Sequence, residues 1–247
     1  MRRLLIDIET APNLAHVWSL WNENVGLNQL IESGEMLCFG AQWYGEHNIP
    51  QYGFHSRWYD GHRNMVIAAH ELLDEADAVI HYNGKRFDVP WLNRSMLEYS
   101  ISPPSPYKQI DLLETVKREF RFPSNKLAYV CERLGVGEKI ETGGHELWVK
   151  VMAGDRKAQQ DMERYCLRDV HLLGPLYERL QPWIRDHPSF GAMTGGDVCP
   201  ACGSDSLNRQ GYAYTRTGKY QRYVCGQCGK WSRATKRSAA TSITEAA

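Results

Sequence analysis

The sequence predicts an α/β domain with a mixed sheet flanked by helices, followed by a small C-terminal zinc-ribbon domain. Three observations carry this prediction: an alternating apolar strand at residues 4–10, a succession of strands, helix and strand between residues 36 and 82, and two Cys-x-x-Cys pairs after residue 198. A chain of 247 residues, 43% of them hydrophobic, can bury one substantial core and fold a small accessory module.

Composition and charge restrict the class of protein. The longest apolar runs are too short to span a bilayer, and the N-terminus lacks the apolar region of a signal peptide. Seven cysteines do not form an even disulfide set, which favours a reducing compartment, with Cys38, Cys131 and Cys166 as buried core residues. The net charge of zero divides into +5 from residue 196 onward and −5 before it. A basic tail on an acidic body suggests a polyanionic partner, although basic residues can also simply solubilise a small domain.

The first predicted strand, Leu4–Thr10, places two carboxylates on one face. Its period-two alternation buries Leu4, Ile6 and Ile8 on one side and sets Asp7 and Glu9 on the other. Burying two like charges is costly unless a cation compensates them, so the pattern indicates a divalent metal. An edge strand whose acids face water remains the alternative.

The next elements predict a sheet with mixed strand directions. The segment 12–34 is not assigned and could wall one side of a cleft. The patterns predict strands at 36–44 and 51–55 joined by a turn at 45–50, an amphipathic helix at 62–76 and a buried strand at 77–82.

Two further acids are predicted near the first pair. Asp88 follows the strand 77–82 and begins a helix, where it can cap the helix or act as a ligand at the carboxyl edge of the sheet. Tyr165 and Asp169 are four residues apart on the core-facing side of a helix at 155–181. Four acids beside one tyrosine indicate a metal-binding cluster.

These motifs resemble a known family. Asp7-Ile8-Glu9-Thr10, Asn83-x-x-x-Phe87-Asp88 and Tyr165-x-x-x-Asp169 are similar, in order and spacing, to the three exonuclease motifs of the DnaQ-like DEDD superfamily in its DEDDy branch. The resemblance covers most of residues 1–181 and is greatest to family B polymerase proofreading domains and their stand-alone bacterial and phage relatives. Cys166 departs from the asparagine that many relatives carry after the tyrosine.

The resemblance implies a ribonuclease H-like fold and a metal-dependent 3′–5′ exonuclease. Asp7, Glu9, Asp88 and Asp169 would hold two Mg²⁺ or Mn²⁺ ions, one generating hydroxide and the other stabilising the leaving oxygen. Tyr165 would orient the attacking water, because a phenol with a pKa of about 10 is a poor base at neutral pH. We expect single-stranded DNA to be preferred to RNA; a 3′ exoribonuclease and a silent nucleic-acid-binding or polymerase-docking module are the alternatives.

The sequence also predicts minor roles for several residues and suggests candidate partners. Thr10 and Asn83 are candidates for holding the terminal nucleotide, whereas Phe87 is expected in the core. Asp111 is expected to be structural, with support of the metal ligands as the lesser alternative. Lys139 is expected to be solvated, with a phosphate contact as the lesser alternative. Helices at 126–134 and 145–152 are scaffold. A polymerase or another replication or repair protein is a candidate partner, in the cytoplasm or, for a phage-encoded chain, the host cytoplasm.

The C-terminal part predicts a zinc ribbon. We expect a nuclease domain at 1–185, a linker at 186–196, the ribbon at 197–233 and a disordered tail at 234–247. Two Cys-x-x-Cys-Gly knuckles separated by 22 residues predict one structural zinc, with a redox motif as a weaker alternative. Tyrosines alternate with cations on a hairpin turning at 217–218, which suits single-stranded nucleic acid, although some tyrosines must form the small core. The predicted zinc ligands are Cys199, Cys202, Cys225 and Cys228, and the predicted strand-binding residues are Arg216, Lys219, Tyr220 and Arg222.

Overall fold

The structure, a computed structural model, describes residues 1–45, 53–140, 143–241 and 243. The chain divides into two compact units: residues 2–114 with 122–176, the sheet unit, and residues 1, 115–121 and 177–247, the ribbon unit. The strands are β1 Arg3–Thr10, β2 Leu14–Ala15, β3 Leu30–Glu32, β4 Met36–Trp43, β5 Gly53–Ser56, β6 Ala78–His81, β7 Lys108–Asp111, β8 Leu207–Tyr214, β9 Gly218–Cys225, β10 Trp231–Arg233 and β11 Ala239–Ala240. The α-helices are α1 His62–Asp74, α2 Asp88–Glu98, α3 Leu112–Glu119, α4 Leu127–Leu134, α5 His145–Met152, α6 Arg156–Leu180 and α7 Phe190–Thr194, with 3₁₀ turns at Leu27–Gln29 and Gln181–Trp183.

A five-stranded mixed sheet in the order β5-β4-β1-β6-β7 organises the sheet unit. Strand β1 lies at its centre, antiparallel to β4 and parallel to β6. This arrangement confirms the predicted α/β sheet of mixed direction. A central strand is covered on both faces, so the acids on β1 are not on an edge and the alternative of a solvated edge strand is excluded.

The two faces of β1 pack against different parts of the unit. Leu4, Ile6 and Ile8 lie in a cluster with apolar residues of β4, α1 and α2. The opposite face meets α6, where Cys38 of β4 and Cys166 of α6 share a second cluster with Leu147 of α5. Cys131 is also fully buried, which confirms the expectation that the three scattered cysteines are core residues.

The structure adds elements that the sequence patterns leave out. Strand β7 and helix α3 follow directly on each other, and β7 is four residues long with one apolar residue, Ile110, that is buried, so its periodicity is too short to assign from sequence. The predicted turn at 45–50 and the first residues of the predicted strand 51–55 fall largely outside the described residues.

The unassigned segment 12–34 forms a small hairpin of β2 and β3. Its base is fixed, since Ala11 N–H donates to Glu35 O at 2.8 Å and Arg94 donates to Gly34 O at 3.0 Å. Its tip exposes Trp18 and Trp21 almost completely. The hairpin is therefore anchored at the end of β1 without adding its tryptophans to the core.

The ribbon unit contains a second sheet, in which β9 pairs with β8, β10 and β11. The predicted hairpin is present, and its turn is closed by Thr215 N–H donating to Gly218 O at 2.9 Å. Helix α7 lies within the stretch predicted as a linker, and β11 lies within the predicted disordered tail. Among the described residues, no helix is both long and apolar enough to cross a membrane.

Candidate active site

Helix α6 approaches β1 closely because β4 carries a glycine beside it. Gly40 pairs with Asp7 across the sheet, and a side-chain carbon at position 40 would lie only 3.0 Å from Val170 Cγ2 and 3.3 Å from Cys166 Sγ. The Cys166 thiol lies 3.7 Å from Asp7 O, to which it donates. A larger residue at position 40 would require side chains of α6 in the turn that carries Asp169 to move by a few tenths of an ångström.

The acids of β1 and α6 consequently meet. Carboxylate oxygens of Asp7, Glu9 and Asp169 all lie within 4.8 Å of one another. Asp88 approaches from another direction: Phe87 is the N-cap of α2, Asp88 is its first residue, and the Asp88 carboxylate accepts a hydrogen bond from Ile8 N–H at 3.2 Å. Asp88 thus lies against β1 at the residue between the two strand acids, while the three-residue group itself does not include it.

Burial makes this cluster electrostatically costly. Burial raises the pKa of Asp7 well above its usual value, and the charges of Asp88, Glu9 and Asp169 raise it further. The pKa of Glu9 rises to about 8, first through burial and then through the charge of Asp169. Burial likewise raises the pKa of Asp88 to about 7. These shifts mean that the ionised acids need a compensating cation.

Lys139 supplies part of that compensation, contrary to the expectation that it is solvated. Its ammonium forms an ion pair with Asp169 and donates to the Tyr165 hydroxyl at 3.3 Å. Burial opposes its charge, but the Asp169 carboxylate outweighs this and raises the pKa of Lys139. The loop before α5 is held near α6 by Arg168 Nε, which donates to Glu138 O at 2.8 Å. No periodic pattern marks a loop lysine, so sequence offered no signal for it.

Tyr165 is held from two sides. The edge of Trp148 of α5 meets its ring with centroids 5.9 Å apart, and Lys139 Nζ lies 5.0 Å from the ring centroid. Burial, followed by the charge of Asp169, raises the pKa of Tyr165 to about 12. The hydroxyl therefore keeps its proton at neutral pH and can orient a ligand without acting as a base.

The acidic cluster fits a divalent cation. Asp169 Oδ1 is buried without a hydrogen-bond partner, an arrangement that is costly unless another group satisfies the oxygen. The donors are carboxylate oxygens, which suit Mg²⁺ or Mn²⁺ and not the softer metals. Asp7, Glu9 and Asp169 would be the ligands, with Asp88 beside them.

Other predicted site residues take varied positions. Thr10 follows a register shift that breaks the β1–β4 pairing after Glu9. Asn83 adopts φ +72 in the turn after β6, a conformation that asparagine tolerates, and its N–H donates to Asp111 Oδ1 at 2.9 Å. Asp111 also accepts from Leu113 N–H, which confirms its structural role. Phe87 is 40% exposed, so its assignment to the core is wrong. The rim position beside Trp91 explains this exposure.

The four predicted zinc cysteines converge in the ribbon unit. Cys199 Sγ lies 3.6 Å from Cys228 Sγ, and Cys202 Sγ lies 3.6 Å from Cys225 Sγ. Sulfurs bound at about 2.3 Å to one tetrahedral zinc are about 3.8 Å apart, so the cluster fits Zn²⁺. Each knuckle turns through a glycine with positive φ, +79 at Gly203 and +75 at Gly229. Four thiolates close the coordination, which is typical of a structural site.

The four predicted strand-binding residues are divided by the sheet register. Arg216 lies in the turn between β8 and β9. Lys219 pairs with Tyr214, whereas Tyr220 pairs with Ala213. Because successive residues of a strand point to opposite faces, Lys219 lies on one face of the ribbon, and Tyr220 and Arg222 lie on the other.

Comparisons with known proteins agree with this architecture. No curated protein matches the chain. The structure of the family B DNA polymerase from the hyperthermophilic archaeon Pyrobaculum calidifontis is similar, with a TM-score of 0.55 and 17% sequence identity over 73% of this chain. That likeness shows the fold, and this chain matches only 24% of the polymerase chain. The sequence profile of the RNase_H superfamily matches residues 23–181, which carry Asp88, Tyr165 and Asp169. With an RNase H-like mixed sheet and more than half of its length matched, the chain belongs to the RNase_H superfamily.

Proposed function

We propose that this protein is a metal-dependent 3′–5′ exonuclease of the DEDDy type, acting on DNA and preferring single strands. The observation that carries the proposal is the group of Asp7, Glu9 and Asp169, in which the helix acid is buried and the two strand acids are half-buried. Asp88 lies against the same strand, and Tyr165 lies one helical turn from Asp169. A buried cluster of like charges is costly for stability, so its presence is best explained by the chemistry it permits.

The residues have distinct roles in this proposal. Asp7, Glu9, Asp88 and Asp169 hold the divalent ions, which supply activation of water and stabilisation of the leaving oxygen when bound. Lys139 donates to the oxygen of Tyr165 and the Tyr165 hydroxyl donates to the Asp169 carboxylate, so the hydroxyl is held beside the acids, where it can orient the attacking water. The Lys139 ammonium also adds positive charge beside the cluster, where a substrate phosphate adds negative charge.

The same proposal includes the division into two domains and a polymerase as the partner. We take the nuclease domain as residues 1–185 and the zinc ribbon as 197–233. A family B DNA polymerase is among the similar solved structures, which supports a polymerase as a candidate partner. An exonuclease would serve such a partner by removing terminal nucleotides.

The decisive experiment digests oligonucleotides labelled at the 5′ end, single- and double-stranded, of DNA and of RNA, with Mg²⁺ or Mn²⁺. We expect a ladder of 5′-labelled products that shorten by single nucleotides on single-stranded DNA, and no products with EDTA. Immediate release of the labelled terminal nucleotide would reverse the polarity, and faster digestion of RNA would favour the exoribonuclease. No hydrolysis with either metal would indicate a silent module.

A further inference from the structure

One face of the ribbon sheet carries alternating rings and cations. In β9, Tyr220 and Arg222 share a face, and the pairing of Arg233 with Arg222 and of Trp231 with Val224 places both β10 side chains on that same face. We call Tyr220, Arg222, Trp231 and Arg233 the ladder face. Sequence analysis did not single out Trp231 or Arg233, because only strand pairing brings them beside β9.

The rings and the cations of the ladder face are stacked on each other. Arg222 Cζ lies 5.2 Å from the centroid of Trp231, and Arg233 Cζ lies 4.3 Å from the centroid of Tyr220. Arg237 Nε donates to the Tyr220 hydroxyl at 3.1 Å. A guanidinium over the face of a ring is attracted to it, while N–H groups at the edge of the guanidinium stay available.

These cations are not neutralised by acids. Among the described residues, none of Arg222, Arg233 and Arg237 forms an ion pair with a carboxylate. All three are exposed, and Trp231 is 48% exposed. The ladder face therefore presents an unneutralised positive surface with large rings in it.

The ladder face is not needed to form the core of the ribbon. The buried residues of that core are Cys199, Ala201 and Cys225, with Leu207 and the other two zinc cysteines packed against them. Tyr220 and Trp231 lie outside this group. Burial in this core therefore does not explain the presence of the two rings. This weakens the alternative that the ribbon tyrosines serve only as core residues.

We propose that the ladder face binds single-stranded nucleic acid, with the arginines contacting phosphates and the rings of Trp231 and Tyr220 available to unpaired bases. Flat guanidinium groups suit phosphate oxygens, and aromatic rings suit any base of a single strand, whereas the bases of a duplex are already stacked. The proposal rests on the proposed function only in taking nucleic acid as the substrate. Of the four residues that the sequence predicts to bind a strand, Tyr220 and Arg222 belong to this face. Lys219 lies on the opposite face and is excluded.

The chain offers a matched control for testing this face. R222Q/R233Q removes two cations and two cation–ring contacts from the ladder face. R209Q/K219Q removes two cations from the opposite face, together with the contact of Lys219 Nζ with the Tyr212 ring at 3.8 Å. Both variants lower the net charge equally, so a difference between them reports the face and not the charge.

The measurement is the affinity of the full-length, zinc-loaded protein for a fluorescent oligo-dT of about 30 nucleotides, well beyond the roughly 4–16 nucleotides that a small module covers. Ca²⁺ replaces the active-site metal to suppress turnover, and salt is varied. We expect R222Q/R233Q to bind at least tenfold more weakly and to reduce the salt slope by about 1.4, the value for two lost phosphate contacts on a single strand. R209Q/K219Q should retain nearly wild-type affinity.

A third variant separates stacking from charge. W231A should weaken binding roughly five- to hundredfold while leaving the salt slope unchanged, because stacking releases no counterions. Zinc content and thermal unfolding are measured for every variant. If R222Q/R233Q loses zinc, R222K/R233K is used instead: we then expect the salt slope to be kept and the affinity to fall, since lysine cannot lie flat on a ring.

Three results would overturn the proposal. Equal losses in the two matched variants would show a nonspecific charge effect, and no loss in either would favour a protein as the partner of this face. Equal affinity for a duplex of the same length would remove the role of unpaired bases. Cleavage of a five-nucleotide substrate is measured in parallel, so that a failed ladder face and a failed exonuclease assignment give different results.

Discussion

Among the described residues, two clusters of side chains could hold a metal ion, and they differ in how the protein positions them. The acidic cluster draws its ligands from a central strand and from the long helix α6, inside a unit with two apolar clusters. The cysteine cluster draws its ligands from two short turns, and the buried residues around it are few. A large core can hold repelling charges without metal, whereas a small core depends on its metal for folding.

The acidic cluster is therefore expected to lower the stability of the metal-free protein, whereas the cysteine cluster is expected to stabilise the ribbon through its metal. In the sheet unit, metal is expected to relieve strain in a structure that is already formed. In the ribbon unit, metal is expected to form the structure itself. Each of the following predictions tests one side of this difference, beginning with the largest expected effect.

The largest effect is expected from Asp7→Asn or Asp169→Asn. Either change removes a charged ligand, so the exonuclease rate should fall by at least about 10²-fold, the size typical of losing a catalytic group. Asp7→Asn also relieves repulsion, so its melting temperature without metal should stay the same or rise. Asp169→Asn also breaks the ion pair with Lys139, so it tests activity alone. Activity with saturating Mg²⁺ and thermal unfolding without metal are the measurements.

Asp111→Asn provides the contrast for these variants. Its Oδ1 accepts the backbone N–H groups of Asn83 and Leu113, and its Oδ2 accepts the N–H of Lys85. An asparagine amide would set an NH₂ donor against one of these N–H groups, so this change should lower the melting temperature. A rise in stability for Asp111→Asn, or near wild-type turnover for Asp7→Asn, would contradict the division between costly and structural acids.

The next largest effect is expected in the ribbon, from the variant Cys202→Ser. Loss of one thiolate should abolish tight zinc binding and expose the amides of β8 and β9 to hydrogen exchange, because few apolar contacts remain to hold them. The amides of β1 and β4 should keep their protection. Retained protection of β9 without zinc would show that the ribbon folds on its own core and would break the comparison.

A smaller effect is expected from Tyr165→Phe. If the hydroxyl positions water, turnover should fall by a factor on the order of 10² with little change in KM. Lys139→Met is a second test of the same hydroxyl, because it removes the donor to that hydroxyl and the ion pair with Asp169. An unchanged rate with weakened binding in Tyr165→Phe would make the tyrosine a substrate contact instead.

The smallest effect is a pH dependence of metal stabilisation. The pKa values of Glu9 and Asp88, about 8 and about 7, lie above their unfolded values of 4.5 and 3.8. The folded state thus binds more protons than the unfolded state, and the stability of the metal-free protein should fall as pH rises between these values. Metal must displace those protons, so Mg²⁺ should stabilise more at about pH 8.5 than at about pH 6.

Thermal unfolding with and without Mg²⁺ at the two pH values measures this difference. A shift of about 2–4 °C is expected for each kcal/mol of added stability in a chain of this size. Glu9→Gln should lose part of the pH dependence, since it removes one of the two carboxyl groups with a raised pKa. A larger stabilisation at the lower pH would contradict the raised pKa values.

The sequence by itself determined the local parts of both clusters. Period-two alternation placed Asp7 and Glu9 on one face of β1, and a four-residue spacing placed Tyr165 and Asp169 on one face of α6. The two Cys-x-x-Cys knuckles identified the four cysteines that converge. These patterns are readable because strand and helix periods depend only on neighbouring residues. The fold class and the mixed sheet followed from the same periods.

Only the tertiary structure decided which distant side chains meet. The ion pair of Lys139 with Asp169, the bond from Ile8 N–H to Asp88 and the close approach of α6 over Gly40 join segments far apart in the chain. The pairing of β10 with β9 likewise placed Arg233 beside Arg222. Such contacts depend on strand register and helix packing, which are set by the whole core and leave no periodic signal in the sequence.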